Sequence, residues 1–521
     1  MRTISVLTFH LIIGMQIYGQ AGSLDPNFDA DGKLVTDVSS IGSHDGVRSV
    51  VVQPDGKILV GGYANEASGG MFALVRYYPD GSLDNTFGSD GIVTTGFGPE
   101  SAGCYAIALQ EDGKIVAAGT YGSETDHVFA LARYIPNGSL DDGFGVNGKV
   151  LTDVLPEEDQ YLTSMSLQSD GKIVVGGYID ASFGASDDCV VLRYLPNGTL
   201  DASFSFDGKV ITDLGANDRG NALAVQPDGK ILLAGQGGLV LGESSSITLL
   251  RYDPDGVLDD TFGSNGVVIT ENGDAFSTAL AMALLPDGKI VLTGDAYEDT
   301  NMVFGVVRFN SDGTLDNSFH FDGRNTFPIG IALARSTSVC VQADGRIFLG
   351  GYANINGNYD FALARFNEDG SVDTNFGSNG SVTTSIGPAL DYARSIAIQS
   401  DGKVLLAGIT EEDNDDFALV RYRNDLDIGV VEFGTISALV EIYPSPIGEA
   451  ATLAYELKTS ETLNCDLFDA QGRLVKTMFS KAQRSAGVHQ ESLYLSGIAA
   501  GEYSLVLSNG SGRTTVKVVK E

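Results

Sequence analysis

Arginine recurs seven times at the end of a short apolar run, and these guanidinium groups are the most regular chemical feature of the sequence. Arg76 shares a strand face with Phe72 and Leu74, because side chains alternate along a strand. A guanidinium beside core residues needs a polar partner. The seven residues are Arg76, Arg133, Arg193, Arg251, Arg308, Arg365 and Arg421.

Aspartates of a recurrent Leu-Asp pair are the nearest candidate partners. They are Asp84, Asp141, Asp201, Asp259, Asp316 and Asp373. One interpretation is a set of structural ion pairs or hydrogen-bond anchors, which the strict repetition favours. The other is a ring of arginines that lines an anion site in a central channel.

The same turns resemble short calcium loops, since Asp255–Asp259 and Asp312–Asp316 each offer two carboxylates. Calcium takes about six to eight oxygen ligands, usually from a longer loop. Asn137 and Asn197 replace the first aspartate in two copies. Turn chemistry explains these residues without a metal. We therefore predict no cofactor, with calcium as the alternative.

Signatures of common catalytic sites are absent from the sequence. There is no His-Glu-x-x-His, no Gly-x-Ser-x-Gly and no phosphate-binding Gly-x-x-x-x-Gly-Lys followed by Ser or Thr. The histidines outside the N-terminal segment occupy different places in their repeats. An active site would have to come from loops that break the repeat, such as Leu155–Tyr161 or Gly237–Ser246. The sequence leans against an enzyme.

The elements that position these residues form a tandem repeat. Gln-x-Asp-Gly-Lys-Ile and its variants recur seven times, at steps of 57 to 59 residues. Asp-Gly between apolar runs is a strong hairpin signal, and each unit contains about four short strands. A β-solenoid is the main competitor, but its coils are usually shorter. We predict an all-β chain with a seven-bladed β-propeller over residues 22–425.

This region resembles the delta-60 repeat family of bacterial secreted proteins. Three motifs carry the resemblance: Leu-Asp-Asn-Thr-Phe-Gly (Leu83–Gly88), Gln-Pro-Asp-Gly-Lys-Ile (Gln226–Ile231) and Phe-Ala-Leu-Ala-Arg-Phe (Phe361–Phe366). The family is described by its repeat and not by an activity. The resemblance implies the architecture and says almost nothing about chemistry.

Composition and the N-terminus indicate an exported protein. The 68 acidic and 32 basic side chains give a formal net charge of -36, which disfavours nucleic acid as a partner. Residues 1–21 have a basic start, an apolar stretch and small residues, as in a secretory signal peptide. No other segment approaches membrane-spanning length, so no transmembrane segment is predicted.

The C-terminal residues form a separate module. After a linker at 426–440, residues 441–521 predict a small β-sandwich of immunoglobulin-like type. This module resembles the C-terminal sorting domain of the Bacteroidetes type IX secretion system, although Ser445 stands where that family usually has Asn. The matching positions are Tyr443, Pro444, Pro446, Gly472, Gly497, Gly501 and Tyr503. The resemblance implies that the secretion machinery is a partner and that the protein is secreted or placed on the outer cell surface.

Three functions are compatible with this sequence. The favoured one is a non-catalytic extracellular or cell-surface binding or scaffold propeller with an unknown ligand. The second is a secreted hydrolase or lyase that acts on polysaccharide. The third is a structural role in surface layers or adhesion. A cluster of acidic and aromatic residues at one channel mouth would favour the enzyme.

Overall fold

In the part of the chain that it describes, the computed structural model is all-β, with 35 strands. They fall into two compact units, Met1–Asn424 and Asp425–Glu521. No helix that could cross a membrane occurs in the part of the chain that is described. That part comprises residues 20–39, 44–66, 69–123, 126–180, 186–215, 217–237, 246–270, 276–411, 414–424, 441–443, 450–457, 460–469, 474–499, 501–509 and 512–520. Residues 1–19 of the expected signal peptide and the expected linker lie outside it.

The first unit consists of seven four-stranded antiparallel sheets that follow one another as propeller blades, which confirms the predicted fold. Blade 1 contains β2 (Asp45–Val52), β3 (Ile58–Glu66), β4 (Gly69–Tyr77) and β5 (Ile92–Thr95). Blade 2 contains β6 (Ser101–Leu109), β7 (Ile115–Ser123), β8 (Asp126–Tyr134) and β9 (Lys149–Thr152). Blade 3 contains β10 (Asp159–Leu167), β11 (Ile173–Asp180), β12 (Asp188–Tyr194) and β13 (Lys209–Thr212). Blade 4 contains β14 (Arg219–Val225), β15 (Ile231–Gly237), β16 (Ser246–Tyr252) and β17 (Val267–Ile269).

The remaining blades have the same organisation. Blade 5 contains β18 (Phe276–Leu284), β19 (Ile290–Glu298), β20 (Asn301–Phe309) and β21 (Arg324–Phe327). Blade 6 contains β22 (Ala334–Val341), β23 (Ile347–Ile355), β24 (Asn358–Phe366) and β25 (Ser381–Thr384). Blade 7 contains β26 (Leu390–Ile398), β27 (Val404–Glu411), β28 (Asp415–Tyr422) and, from the other end of the chain, β1 (Lys33–Thr36).

Blade 7 is therefore completed by the N-terminal strand. β1 pairs antiparallel with β28, with Lys33 opposite Val420 and Thr36 opposite Phe417. One sequence unit thus supplies the outer strand of one blade and the three inner strands of the next. The repeat pattern alone does not show this offset between unit and blade.

The first strand of each blade contacts the first strands of both neighbouring blades, so these seven strands form a closed ring around a central channel. Each of them carries a β-bulge. The residues left unpaired at the equivalent bulges are Arg48, Tyr105, Thr163, Asn221, Leu280, Thr337 and Arg394. A bulge redirects a side chain, which here gives every blade one variable residue on the channel ring.

A glycine on the second strand faces each bulge. A Cβ built at Gly62 would lie 1.8 Å from the carbonyl oxygen of Gly46, and one built at Gly294 would lie 2.0 Å from that of Thr278. The equivalent glycines are Gly62, Gly119, Gly177, Gly235, Gly294, Gly351 and Gly408. The bulge brings the inner strand so close that a side chain cannot fit, and this explains the repeated glycine.

Seven hydrophobic clusters hold the blades together, and each draws on two consecutive blades. The tyrosine after the recurrent arginine also reaches the preceding blade: the Tyr134 hydroxyl donates to Thr95 Oγ1 at 2.9 Å. In blade 1, Tyr77 makes the same bond to Thr36 of β1. Blade faces, and not blade edges, therefore bury most of the apolar side chains.

Antiparallel order places the two kinds of connection at opposite ends of the propeller. One end, called the turn face here, carries the Asp-Gly hairpins and the Leu-Asp-x-x-Phe segments. The other end, the loop face, carries the connections between blades and the hairpins between second and third strands. The turn face repeats in sequence, whereas the loop face does not.

The second unit contains two sheets. A three-stranded sheet has the order β29 (Glu441–Tyr443), β30 (Ala450–Leu457), β33 (Gly487–Tyr494). A four-stranded sheet has the order β32 (Leu474–Arg484), β31 (Glu461–Asp469), β34 (Gly501–Asn509), β35 (Gly512–Lys520). Leu453 and Leu493 of the first sheet and Leu467 and Leu505 of the second belong to one buried cluster. The two sheets share a core, while an immunoglobulin-like topology stays a prediction.

Candidate functional site

The recurrent arginines lie near the ends of the third strands, on the turn face. Arg251 Nε donates to Asp259 Oδ2 at 2.7 Å, and its guanidinium carbon lies 4.3 Å from the centre of the Phe262 ring. Its Nη1 donates to the carbonyl oxygen of Ser311, in the turn of the next blade, at 2.5 Å. One side chain thus joins an ion pair, a cation–π contact and a hydrogen bond between blades.

All seven arginines have this arrangement. Each pairs with the aspartate and covers the phenylalanine of a Leu-Asp-x-x-Phe segment. The seventh partner is Asp25, which the sequence-based set of aspartates omitted: Arg421 Nη2 lies 2.9 Å from Asp25 Oδ2. In blade 6, Arg365 donates to Asn424 Oδ1 at 2.5 Å, because the chain leaves blade 7 where a turn would otherwise be.

Sequence reasoning also missed the role of the lysine in Gln-x-Asp-Gly-Lys. Lys230 Nζ lies 2.7 Å from Asp259 Oδ2, so that carboxylate contacts two cations. Lys57, Lys114, Lys172, Lys289 and Lys403 occupy the same place, and Arg346 replaces lysine in blade 6. The signal was available, because the lysine repeats in register with the arginine.

These contacts hold the aspartates in their charged form. Burial alone would raise the pKa of Asp201, but hydrogen bonds from Ser203 and the charge of Arg193 outweigh it and lower that pKa to about 2. For Asp316, Ser318 and Arg308 have the same effect, and its pKa is also about 2. The geometry supports the structural interpretation of the arginines. They lie on third strands and not on the channel ring.

The channel ring has different arginines. Arg48 and Arg394 are the bulge residues of β2 and β26, which belong to adjacent blades. The guanidinium carbon of Arg48 lies 5.5 Å from the ring centre of Tyr63 and 5.7 Å from that of Tyr105. That of Arg394 lies 5.7 Å from Tyr352 and 5.6 Å from Tyr392. These six residues are called the channel arginine cluster.

The polar bulge residues of three other blades have structural partners. Thr163 donates to the carbonyl oxygen of Gly220 at 2.8 Å, and Thr337 donates to that of Ala393 at 2.9 Å. Asn221 makes the equivalent bond to the blade that follows it. In these blades the bulge side chain forms a hydrogen bond to a neighbouring inner strand. Among the described residues, Arg48 and Arg394 form no such bond.

A second group of non-repeat residues lies on the loop face between blades 2 and 4. His127 Nδ1 lies 2.7 Å from Asp159 Oδ1, and Tyr161 donates its hydroxyl to Asp159 Oδ2 at 2.7 Å. The Tyr161 ring stacks on Tyr178 with centres 5.1 Å apart, and the Arg219 guanidinium lies 4.8 Å from the Tyr178 centre. These five residues are called the His127 cluster.

Burial, hydrogen bonds and nearby charges shift the pKa values of three residues in the His127 cluster. Burial raises the pKa of Asp159, but hydrogen bonds from Tyr161 and His127 overcome this effect and the net pKa is lowered. Burial and then the nearby Asp159 carboxylate raise the pKa of Tyr161. Burial raises that of Tyr178 to about 12, although Arg219 opposes the shift. A histidine, a carboxylate and a phenol in contact can perform acid–base chemistry.

Of the two repeat-breaking loops singled out in the sequence, Leu155–Tyr161 contributes Asp159 and Tyr161 to this cluster. Most of Gly237–Ser246 lies outside the described residues. Tyr63, Tyr178 and Tyr352 all follow the glycine that faces a bulge, and this shared position is the signal that could have located the channel from sequence.

The turns considered for calcium use their carboxylates internally. Asp312 Oδ1 accepts hydrogen bonds from the backbone nitrogen and the hydroxyl of Thr314, at 2.9 and 2.6 Å. Within the described residues, two other groups of three carboxylates lie close together on the loop face. They are Asp37, Asp45 and Asp416, and Asp188, Asp213 and Asp218.

The sorting motif is described only in part. Gly497 has a φ of +80°, which favours glycine, and the Tyr503 hydroxyl donates to the carbonyl oxygen of Ala499 at 2.9 Å. Gly501 begins β34. Tyr443 ends β29, but its side chain is not described, and Pro444, Pro446 and Gly472 lie outside the described residues. Gly497 and Tyr503 thus shape the segment before the last two strands.

Comparison with protein families agrees with this architecture. A model described as "Domain of unknown function (DUF5122) beta-propeller" matches residues 53–87, 110–144, 168–204, 226–262, 285–319, 342–376 and 399–428. The propeller belongs to the DUF5122 family. A second model, the secretion system C-terminal sorting domain, matches residues 441–521 of this DUF5122 protein. That domain indicates handling by the type IX secretion system and export to the cell surface or the medium.

No curated protein matches this chain. Among solved structures, a catalytically inactive virginiamycin B lyase from Staphylococcus aureus with quinupristin is 11% identical, with a TM-score of 0.42, and the match covers 74% of this chain and 99% of that one. The polysaccharide lyase Uly1 is 12% identical, with a TM-score of 0.40 and coverages of 79% and 94%. An α-L-arabinofuranosidase from Fusarium graminearum is 10% identical, with a TM-score of 0.38 and coverages of 67% and 98%. Similarities this low carry no functional argument.

Proposed function

We propose that this protein is an exported, non-catalytic binding propeller whose ligand site is the loop-face half of the central channel. The observation that supports it is the concentration of non-repeat tyrosines and arginines there. Arg394, Arg48 and Tyr105 come from three consecutive blades and occupy equivalent bulges. A concave site lined by aromatic rings with a few polar groups is the usual form of a ligand site.

Binding is tested with the purified chain and a panel of neutral and acidic polysaccharides. We expect slowed migration in native affinity electrophoresis with at least one of them. Reducing ends and unsaturated uronates should not accumulate during the same incubation. If no polysaccharide, peptide or small-molecule library component is retained, the binding proposal is wrong.

A second candidate function is a hydrolase or lyase that acts on polysaccharide, and the His127 cluster favours it. His127, Asp159 and Tyr161 are in hydrogen-bond contact on the loop face, as an acid–base site requires. Release of products from any panel member would favour this candidate. Tyr161→Phe would then abolish turnover, whereas Tyr297→Phe, which removes a hydroxyl from an exposed tyrosine of β19, would leave it unchanged.

Export is tested by mass spectrometry of protein from washed cells and from the medium. We expect a mature chain that starts near Ala21 and ends near residue 440. Ala21 has a structural reason to be retained, because its carbonyl oxygen accepts a hydrogen bond from Gly377 N at 2.9 Å. A periplasmic chain with residues 441–521 intact would contradict the route.

A further inference from the structure

The channel arginine cluster brings two guanidinium groups together on one arc of the channel. Arg48 and Arg394 occupy equivalent bulges on inner strands that contact each other. The strands are also joined beside the bulges, where Val50 N donates to Ser395 Oγ at 3.1 Å. Adjacent bulges in register direct both side chains into the same part of the channel.

Neither guanidinium has the kind of partner that the turn-face arginines have. The Nε atoms of Arg48 and Arg394 are buried and make no hydrogen bond. Among the described residues, no carboxylate lies within 4.0 Å of either group. Arg335, on the next inner strand, shows the contrast, because its Nε and Nη2 donate to Asp295 at 2.7 and 2.9 Å.

Two unpaired like charges in a half-buried position are unfavourable in the free protein. Burial, and then the nearby charge of Arg48, lowers the pKa of Arg394. An anion bound by both groups would offset this repulsion. The planar guanidinium matches a carboxylate, to which it can donate two parallel hydrogen bonds.

The tyrosines around the arginines suggest what carries the anionic group. Tyr352 packs edge-on against Tyr392 at 5.0 Å and against Tyr359 at 5.6 Å between ring centres. Tyr63 and Tyr105 flank Arg48 and are only partly buried. Such rings offer an apolar face and a hydroxyl together, which suits a sugar ring with its C–H face and its hydroxyl groups.

The charge of the whole chain limits how many anionic groups the ligand can carry. With a net charge of -36, the protein surface repels dense polyanions such as nucleic acids and heavily sulfated chains. A saccharide with one carboxylate per sugar ring is a better match for two arginines inside a channel.

We infer that Arg48 and Arg394 together bind the carboxylate of an acidic saccharide that enters the channel from the loop face. This inference rests on the proposed binding function and names the class of its ligand. The tyrosines of the cluster hold the sugar rings on either side of that carboxylate.

The inference is tested by isothermal titration of the purified full chain with tri-galacturonic acid and with its methyl ester, which has the same rings without charge. We expect binding of the acid and at least about ten-fold weaker binding of the ester, since the ester loses the charge-assisted hydrogen bonds to both guanidinium groups. Inorganic phosphate is titrated in parallel as an anion without a sugar.

Three variants connect the result to the two residues. Arg48→Gln and Arg394→Gln should each weaken binding of the acid about ten-fold or more, while Arg394→Lys should restore it only in part. Arg346→Gln is the matched control, because it removes the same charge from the turn face and leaves Asp373 paired with Arg365 at 2.8 Å. Melting temperatures of all variants show whether each remains folded.

Equal affinity for acid and ester, or full affinity in both glutamine variants, would overturn the inference. Phosphate that binds as tightly as the acid would also overturn it, because the sugar would then contribute nothing. If the polysaccharide panel still shows retention in those cases, the proposed binding function stands and only the carboxylate site is wrong. If no ligand is retained at all, both are wrong.

Discussion

The turn face and the loop face of the propeller use the same residue type in opposite ways. On the turn face, each arginine is paired with an aspartate, covers a phenylalanine and bonds to the next blade. On the channel ring, Arg48 and Arg394 lie among tyrosines with their Nε atoms unbonded. Every arginine of the first set has a carboxylate partner, whereas the two channel arginines have none among the described residues.

This comparison shows where to look for function in a repeat protein. The arginine that is present in every repeat has an aspartate partner in every repeat, so it contributes to assembly. A polar residue that occurs in one or two blades has no such partner in the repeat itself. The catalytic and binding candidates of this chain are accordingly absent from the consensus.

Acid should have the largest effect, because it weakens the turn-face pairs of several blades at once. The native pKa values of Asp201 and Asp316, about 2, lie below the unfolded value of about 3.9. A lowered native pKa gives stability that is complete above the unfolded pKa and is lost as the pH falls toward the native one. Urea unfolding between pH 5 and 2 should show a steep loss of stability below about pH 4. Constant stability down to pH 2 would contradict the structural role of these pairs.

A single broken pair should have the next largest effect. Asp259→Asn leaves Arg251 buried with a neutral partner and removes a contact of Lys230, and it should lower the free energy of unfolding by about 3–5 kcal/mol. Asp260→Asn changes the adjacent, exposed aspartate and should cost less than about 0.5 kcal/mol. Chemical denaturation of both variants measures the difference, and equal values would refute the proposed role of the pair.

The glycine that faces each bulge can be tested within one blade. A Cβ at position 119 would lie 1.9 Å from the Gly103 carbonyl oxygen, so Gly119→Ala should destabilise the fold by about 1–3 kcal/mol or more. At Gly103 itself the nearest atom would be 3.6 Å away, and Gly103→Ala should be nearly neutral. Thermal unfolding of the two variants measures this difference. If Gly103→Ala were the more destabilising variant, the described bulge geometry would be wrong.

The smallest effect should have the opposite sign. Arg394→Gln removes an unpaired, half-buried charge next to Arg48, so the variant should be as stable as the parent or up to about 1 kcal/mol more stable. Arg251→Gln, the same substitution on the turn face, should be clearly destabilising. A similar loss of stability in both variants would mean that the two sets of arginines do not differ as described.

The sequence predicted those parts of the molecule that repeat in register. Arg251 and Asp259 could be paired because both recur, and the seven-bladed fold follows from the same count. The role of Arg394 could not be predicted, because a bulge leaves no periodic signal and its location depends on pairing with β27. Strand β33 also has no clear signal in the sequence, because its partly buried positions include His489 and Glu491 while the apolar Val488 and Tyr494 are exposed.

The antiparallel pairing of β1 with β28 affects how a propeller of this kind can gain or lose blades. Loop-closure entropy rises only by about 0.6 kcal/mol for each doubling of length, so joining the two ends depends little on the number of blades between them. Because each sequence unit begins with one outer strand and ends with three inner strands, duplication of a whole unit inserts a whole blade. Lys33 would still face Val420's counterpart in the last blade. The same β1–β28 pairing can therefore close propellers with different numbers of blades. The packing between neighbouring blade faces then limits that number.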